Sequence, residues 1–167
     1  MRKRVVILAS GTGSLTQAIM DATELDIQIV AVVSDRADAQ VLERAKKANI
    51  NTSVIELKGD RGAWDAQLFN QVDQYQPDLV ISAGFMKILS SEFVSNFPTI
   101  NSHPALLPEF PGAHAVRDAL AAGVSITGTT VHWVDAGVVL GVVVANAIIG
   151  FVQEGRAESA LEAIRGM

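Results

Sequence analysis

There is no cysteine in the 167 residues of this chain. That excludes disulfides, thiolate metal ligands and a cysteine nucleophile. Histidine and proline are also scarce, with three and five copies, so their placement is informative. Charged residues make up 19% of the chain against 49% hydrophobic, a balance that excludes a disordered polymer. The net charge of -5 comes without a Lys/Arg-rich tract. General nucleic-acid binding is thereby disfavoured, while a basic pocket for a small anion is not. The longest apolar stretch, 138–152, is short for a membrane span and is interrupted by Gly141, Asn146 and Gly150. Met-Arg-Lys-Arg leads straight into Val5-Val6-Ile7-Leu8-Ala9, too short an apolar run for a signal peptide and right for a first strand. The expectation is a cytoplasmic protein of one domain over 1–167 that does not enter membranes.

What is present concentrates in 100–112, which holds three of the five prolines and one of the three histidines. Asn101 and His103 sit two apart, so on an extended piece both side chains point the same way. The prolines beyond them turn the backbone into a stiff loop. An amide that donates to an oxyanion beside an imidazole that moves a proton near neutral pH suits acyl-group chemistry. The competing reading is a Pro-rich loop with a solvated histidine.

Around this stretch, apolar runs alternate with helical patterns. Strands are expected at 5–9, 27–34, 52–57, 79–83, 99–102, 126–134 and 142–149. Helices are expected at 15–22, 38–48, 63–76, 90–95, 113–122 and 156–164. Trp64, Leu68 and Val72 fall on one face of the third helix and read as core. Short connections between alternating elements imply a doubly wound, mostly parallel α/β sheet. The strands at 126–134 and 142–149 lack a helix between them and should pair antiparallel.

Two loops follow strands at their carboxyl ends, where open α/β sheets place ligands. Ser10-Gly11-Thr12-Gly13-Ser14 precedes a helix and aims backbone N–H groups at an anion, or is a plain tight turn. It lacks the lysine of a Walker A loop and the rest of a dinucleotide fingerprint. Gly84-Phe85-Met86-Lys87-Ile88-Leu89 offers backbone amides and apolar side chains to a flat ligand, or packs ordinarily. Asp35-Arg36-Ala37-Asp38 reads as a solvated turn with a helix cap. His114 reads as a loop or capping residue, and His132 as buried and hydrogen-bonded. No spacing of His and acids supports a metal set.

Taken together, these motifs resemble the glycinamide ribonucleotide formyltransferase family. The resemblance rests on Ser10–Ser14 and Ala83-Gly84-Phe85-Met86-Lys87-Ile88-Leu89. It rests also on Asn101-Ser102-His103-Pro104-Ala105-Leu106-Leu107-Pro108, Pro111-Gly112-Ala113-His114 and Gly128-Thr129-Thr130-Val131-His132-Trp133-Val134-Asp135. It implies a Rossmann-like formyltransferase fold acting in purine biosynthesis. The formyl group of 10-formyltetrahydrofolate, the co-substrate, would move to the amine of glycinamide ribonucleotide, with no metal. It implies a phosphate on the amides of Gly13, Ser14 and Leu15, where the family usually has Asn in place of Leu15. It implies folate against Met86, Lys87, Ile88 and Leu89 with Arg61 at the outer edge. Asn101 would steady the oxyanion and His103 would handle the proton.

The family also carries an Asp, in Asp-x-Gly-Pro, that orients the histidine. Aligned on His132 and Gly141, that position holds Val139, and Asp135 is the acid left on the same loop. Asp135 substitutes, or the enzyme is weakened, or the fold keeps only a phosphate or folate site without catalysis. The C-terminal part departs from the family pattern and is shortened. Its apolar 138–151 would fill the sheet's edge or face a partner subunit, making a homodimer one expectation.

Overall fold

The computed structural model describes residues 1–135, so the expected strand at 142–149 and helix at 156–164 lie outside the described residues. Six strands form one sheet in the order β3-β2-β1-β4-β5-β6. They are β1 (Lys3–Leu8), β2 (Ile27–Ser34), β3 (Asn51–Val54), β4 (Leu79–Ser82), β5 (Thr99–His103) and β6 (Thr130–Val134). Helices α1 (Ser14–Asp21), α2 (Gln40–Lys47), α3 (Arg61–Asp73), α4 (Ser91–Asn96) and α5 (Ala115–Ala121) connect them. All pairings are parallel except β5 with β6. Among the described residues the antiparallel partner of β6 is β5, despite the helix α5 between them, because the chain after α5 runs back along β5; the expected pairing of 126–134 with 142–149 lies outside the described residues.

The period of two along β1 builds the layers. Val6 and Leu8 face Trp64, Leu68 and Val72 from α3, Phe93 from α4 and Leu89 from the loop before α4. Val5, Ile7 and Ala9 face Val41, Leu42 and Ala45 from α2. A strand covered on both faces must be apolar throughout, which is why this one is. Each such fully buried side chain contributes about 1.5–3 kcal/mol by leaving water.

Boundaries moved where caps decide them. Helix α3 starts earlier than the apolar stripe implies, because the Asp60 carboxylate accepts from the Ala63 N–H at 2.7 Å. Ser90 caps α4 in the same way, through Phe93. Strand β6 is shorter than expected, since 126–129 is irregular. No helix among the described residues is long and apolar enough to cross a membrane.

The chain leaves β1 toward β2 on one side, and β4 leads to β5 on the other. The gap between the carboxyl ends of β1 and β4 is thus the topological switch point. Both Gly-containing loops open there.

Candidate active site

The turn after β1 is shaped by α2. Gly13 has φ 73°, and a Cβ there would lie 2.4 Å from the Val41 side chain and 2.9 Å from its Cα. Only glycine satisfies both the left-handed backbone and the contact. Val41 N–H donates to the Gly11 carbonyl at 3.2 Å, and Arg44 Nε donates to the Thr12 carbonyl at 2.8 Å. Gly13 stands at the N-cap of α1 without a side-chain cap. The first amides of an α-helix have no partner one turn back and are left available to an acceptor. Leu15 is partly exposed beside them and adds no polar group.

The second loop is tied to the first. Ser10, buried, donates its N–H to Gly84 O at 3.1 Å, and its Oγ accepts from the Met86 N–H at 2.8 Å. Arg61 anchors the loop's other end by donating to the Ile88 carbonyl. The same guanidinium pairs with Asp65 and lies 5.0 Å over the Trp64 ring. Met86 and Ile88 are exposed and available to a ligand. Leu89 is buried against the core instead, and the Lys87 ammonium points toward Asp35.

Asn101 and His103 stand together on one face of β5. His132 lies opposite Asn101 on β6. Its Nδ1 sits 3.0 Å from the Trp133 carbonyl and must carry the proton to donate there. Nε2 is then an acceptor, and it takes a hydrogen bond from the Asn101 amide at 3.2 Å. One amide N–H is thus spent on fixing the side chain, and the other is left for a substrate oxygen. His103 is 9% exposed, and its Nε2–H donates to the Phe110 carbonyl at 2.9 Å. The remaining ring nitrogen, Nδ1, is the basic one. Phe110 presents that carbonyl from a left-handed backbone, φ 50°.

The register of β6 places Asp135 near the other end of β5 from His103. It follows Val134, which pairs with Thr99, whereas His103 pairs with Thr130. The four-residue offset along β5 corresponds to roughly 13 Å. Val139 lies outside the described residues. Three participants were not legible as such beforehand: His132 as the orienter of Asn101, the Phe110 carbonyl as the partner of His103, and Arg44 as the clasp on the turn. His114 precedes α5, exposed and without a side-chain capping bond. The reading of 35–38 as a solvated cap is corrected: Asp35 is buried, Asp38 pairs with Arg36, and Ala39 occupies the N-cap of α2.

A doubly wound sheet with an anion turn at its switch point and an Asn-x-His pair on the adjoining strand defines a class of formyl-group enzymes. The chain belongs to the formyl transferase family, whose model matches residues 3–165. Its relatives narrow the placement to the phosphoribosylglycinamide formyltransferases. The Mycobacterium tuberculosis protein of that name is 47% identical over 149 residues, which span 86% of this chain and 69% of the relative. The Escherichia coli K12 protein is 44% identical over 137 residues, 78% of this chain and 65% of that one. The structure of glycinamide ribonucleotide transformylase 1 from Symbiobacterium toebii superimposes with a TM-score of 0.76. It is 39% identical, covering 81% of this chain and 67% of that chain. The chain thus spans about two thirds of the length of these relatives.

Proposed function

We propose that this chain moves the formyl group of 10-formyltetrahydrofolate to the amine of glycinamide ribonucleotide. The observation that carries the reading is the pair on β5, Asn101 oriented by His132 and His103 oriented by Phe110. The substrate phosphate lies on the amides of Gly13, Ser14 and Leu15, and the folate lies along Met86, Lys87 and Ile88 with Arg61 at its edge. The amine nitrogen attacks the formyl carbon. The second Asn101 N–H donates to the oxyanion that forms. His103 Nδ1 takes the proton from the attacking nitrogen and returns it to folate N10 as the carbon–N10 bond breaks. The new carbon–nitrogen bond leaves a formamide product and tetrahydrofolate.

Holding a reacting histidine needs an acceptor on its far nitrogen, and the Phe110 carbonyl fills that role here. A carbonyl orients an imidazole but stabilises an imidazolium less than a carboxylate does. The same observation favours a second reading, a phosphate- and folate-binding protein without turnover. Under both readings the protein would work in the cytoplasm, and a homodimer is one assembly open to it. Formyl transfer from 10-formyltetrahydrofolate to glycinamide ribonucleotide, followed at the folate chromophore, separates the two. Turnover abolished by His103→Ala supports the enzyme. Saturable folate binding without turnover, unaltered by His103→Ala, supports the binding protein.

A further inference from the structure

The loop that follows His103 is fastened to the sheet by one side chain. Thr130 opens β6 and pairs with His103 across the ladder. Its hydroxyl donates to the Ala105 carbonyl at 2.7 Å and accepts from the Leu107 N–H at 3.0 Å. Among the described residues, these are the hydrogen bonds that join 104–109 to β6. A hydroxyl has a single hydrogen to donate, and here Ala105 takes it. The strand itself asks for no hydroxyl at this position, since a β-branched valine suits a strand as well as threonine does. Pro104 and Pro108 restrict the loop's backbone but give it no N–H with which to hold the sheet.

The fastening matters because of what the loop carries. The His103 carbonyl accepts from the Ala105 N–H at 2.9 Å, and the Leu106 carbonyl accepts from the Glu109 N–H at 3.0 Å. The chain thus turns twice and returns Phe110, whose carbonyl accepts from His103 Nε2 at 2.9 Å. Thr130 grips one residue of each turn. Ala105 is fully buried, but Leu106 and Leu107 are exposed, so beyond Ala105 packing does little to hold the loop in place. Phe110 presents its carbonyl from the left-handed region, φ 50°, which a bulky residue keeps only where its surroundings impose it. The hydroxyl of Thr130 is the tie that imposes it from the sheet.

We propose that Thr130 is a positioning residue for the transfer, acting through the loop 105–107 to keep the Phe110 carbonyl on His103. With the hydroxyl gone, the Ala105 carbonyl and the Leu107 N–H turn to water. The Phe110 carbonyl then leaves Nε2, and the His103 ring is free to rotate and to move its proton to Nδ1. That second change removes the basic nitrogen from the side where the proton is taken. The effect on turnover rests on the transferase reading, whereas the effect on the ring does not.

The test compares Thr130→Val, which keeps the side chain's shape, with Thr130→Ser, which keeps its hydroxyl, in the full chain. Nitrogen-15 NMR of the imidazoles reads the tautomer, and with three histidines in the chain His103→Gln assigns the signal. The parent should show His103 with its proton on Nε2. Thr130→Val should mix the two tautomers and Thr130→Ser should keep the parental one, with thermal melting confirming folded variants. Thr130→Ala carries the same expectation as Thr130→Val should valine not fit. In steady-state transfer, Thr130→Val should lower kcat by about tenfold to a hundredfold, the scale set by a misplaced reacting group. KM for glycinamide ribonucleotide should stay within about twofold, and Thr130→Ser should recover most of kcat. A His103 proton on Nδ1 in the parent overturns the proposal without any variant. So does a parental ring signature in folded Thr130→Val, a serine variant that behaves like the valine one, or parental kcat in Thr130→Val. Absence of turnover in the parent sinks the transferase reading alone, since the ring signature still decides whether Thr130 holds His103.

Discussion

The glycine turn and strand β5 open at the same end of one sheet, yet they are held in opposite ways. The turn is clasped through its backbone: Gly13 against Val41, Gly11 O by Val41 N–H, Thr12 O by Arg44. The reacting pair is held through side chains, one hydrogen bond each, from Asn101 to His132 and from His103 to Phe110. A backbone site tolerates change at its side chains, so Leu15 can stand among the amide donors. A side-chain site does not, since each missing bond frees a torsion of a reacting group.

The strongest way to break this contrast is at β5. His103→Ala should lower the rate of transfer by about 10²–10⁴, the span of general acid–base assistance. Asn101→Ala should cost about 10²–10³ through the lost oxyanion donor. Both are read from steady-state turnover, and a near-parental rate in either variant would remove the pair from the chemistry.

At the turn, Gly13→Ala should destabilise the fold by about 1–3 kcal/mol. It combines a left-handed backbone with a Cβ pressed into α2, and chemical denaturation measures the loss. A stability equal to the parent's would mean that α2 gives way, and the clasp would then be loose.

His132→Leu and Arg44→Met sharpen the comparison in opposite kinetic directions. Each removes two hydrogen bonds, one of them to the region it holds and the other to the Trp133 carbonyl or to Gln17 Oε1, each bond worth about 1 kcal/mol or a factor of about five. His132→Leu should lower kcat with KM little changed, because it loosens Asn101. Arg44→Met should raise KM for the ribonucleotide with kcat preserved, because it loosens the phosphate turn. The reverse pattern would mean that the two regions are not separately built.

The smallest effect lies far from both. The Asp78 carboxyl is held below its ordinary value by the Arg4 N–H and then by the Lys3 ammonium. Its contribution to stability is present above the unfolded-state value, roughly 3.9, and is lost as pH falls through the lowered folded value. Asp78→Asn should flatten the acid limb of a stability-against-pH curve below about pH 4 and leave neutral pH nearly unchanged.

The sequence made some of this legible and hid the rest for physical reasons. Strands buried on both faces announce themselves, as Val5–Ala9 did, because every position must be apolar. The Asn-x-His spacing showed that two side chains share a face, since period two is local. Register is not local. That His132 lies opposite Asn101, and that Asp135 falls at the Thr99 end of β5, depend on how β6 slides against its neighbour. Asp35 was hidden differently. Asp-Arg-Ala-Asp has the composition of a solvated turn, and its burial comes from Lys87 and the switch-point loops, far away in sequence. The Phe110 carbonyl left no side-chain signature at all.

Trp64 adds an optical consequence. Its indole donates to the Ile55 carbonyl at 2.7 Å, stacks on Phe85 at 6.3 Å, and lies beneath the Arg61 guanidinium. Phe85 and the Arg61-bound Ile88 bracket the folate segment. A molecule settling on Met86 and Lys87 therefore perturbs the surroundings of a 2%-exposed fluorophore. With two tryptophans in the chain, Trp133→Phe leaves a single emitter whose spectrum and lifetime read occupancy of that segment without any attached dye.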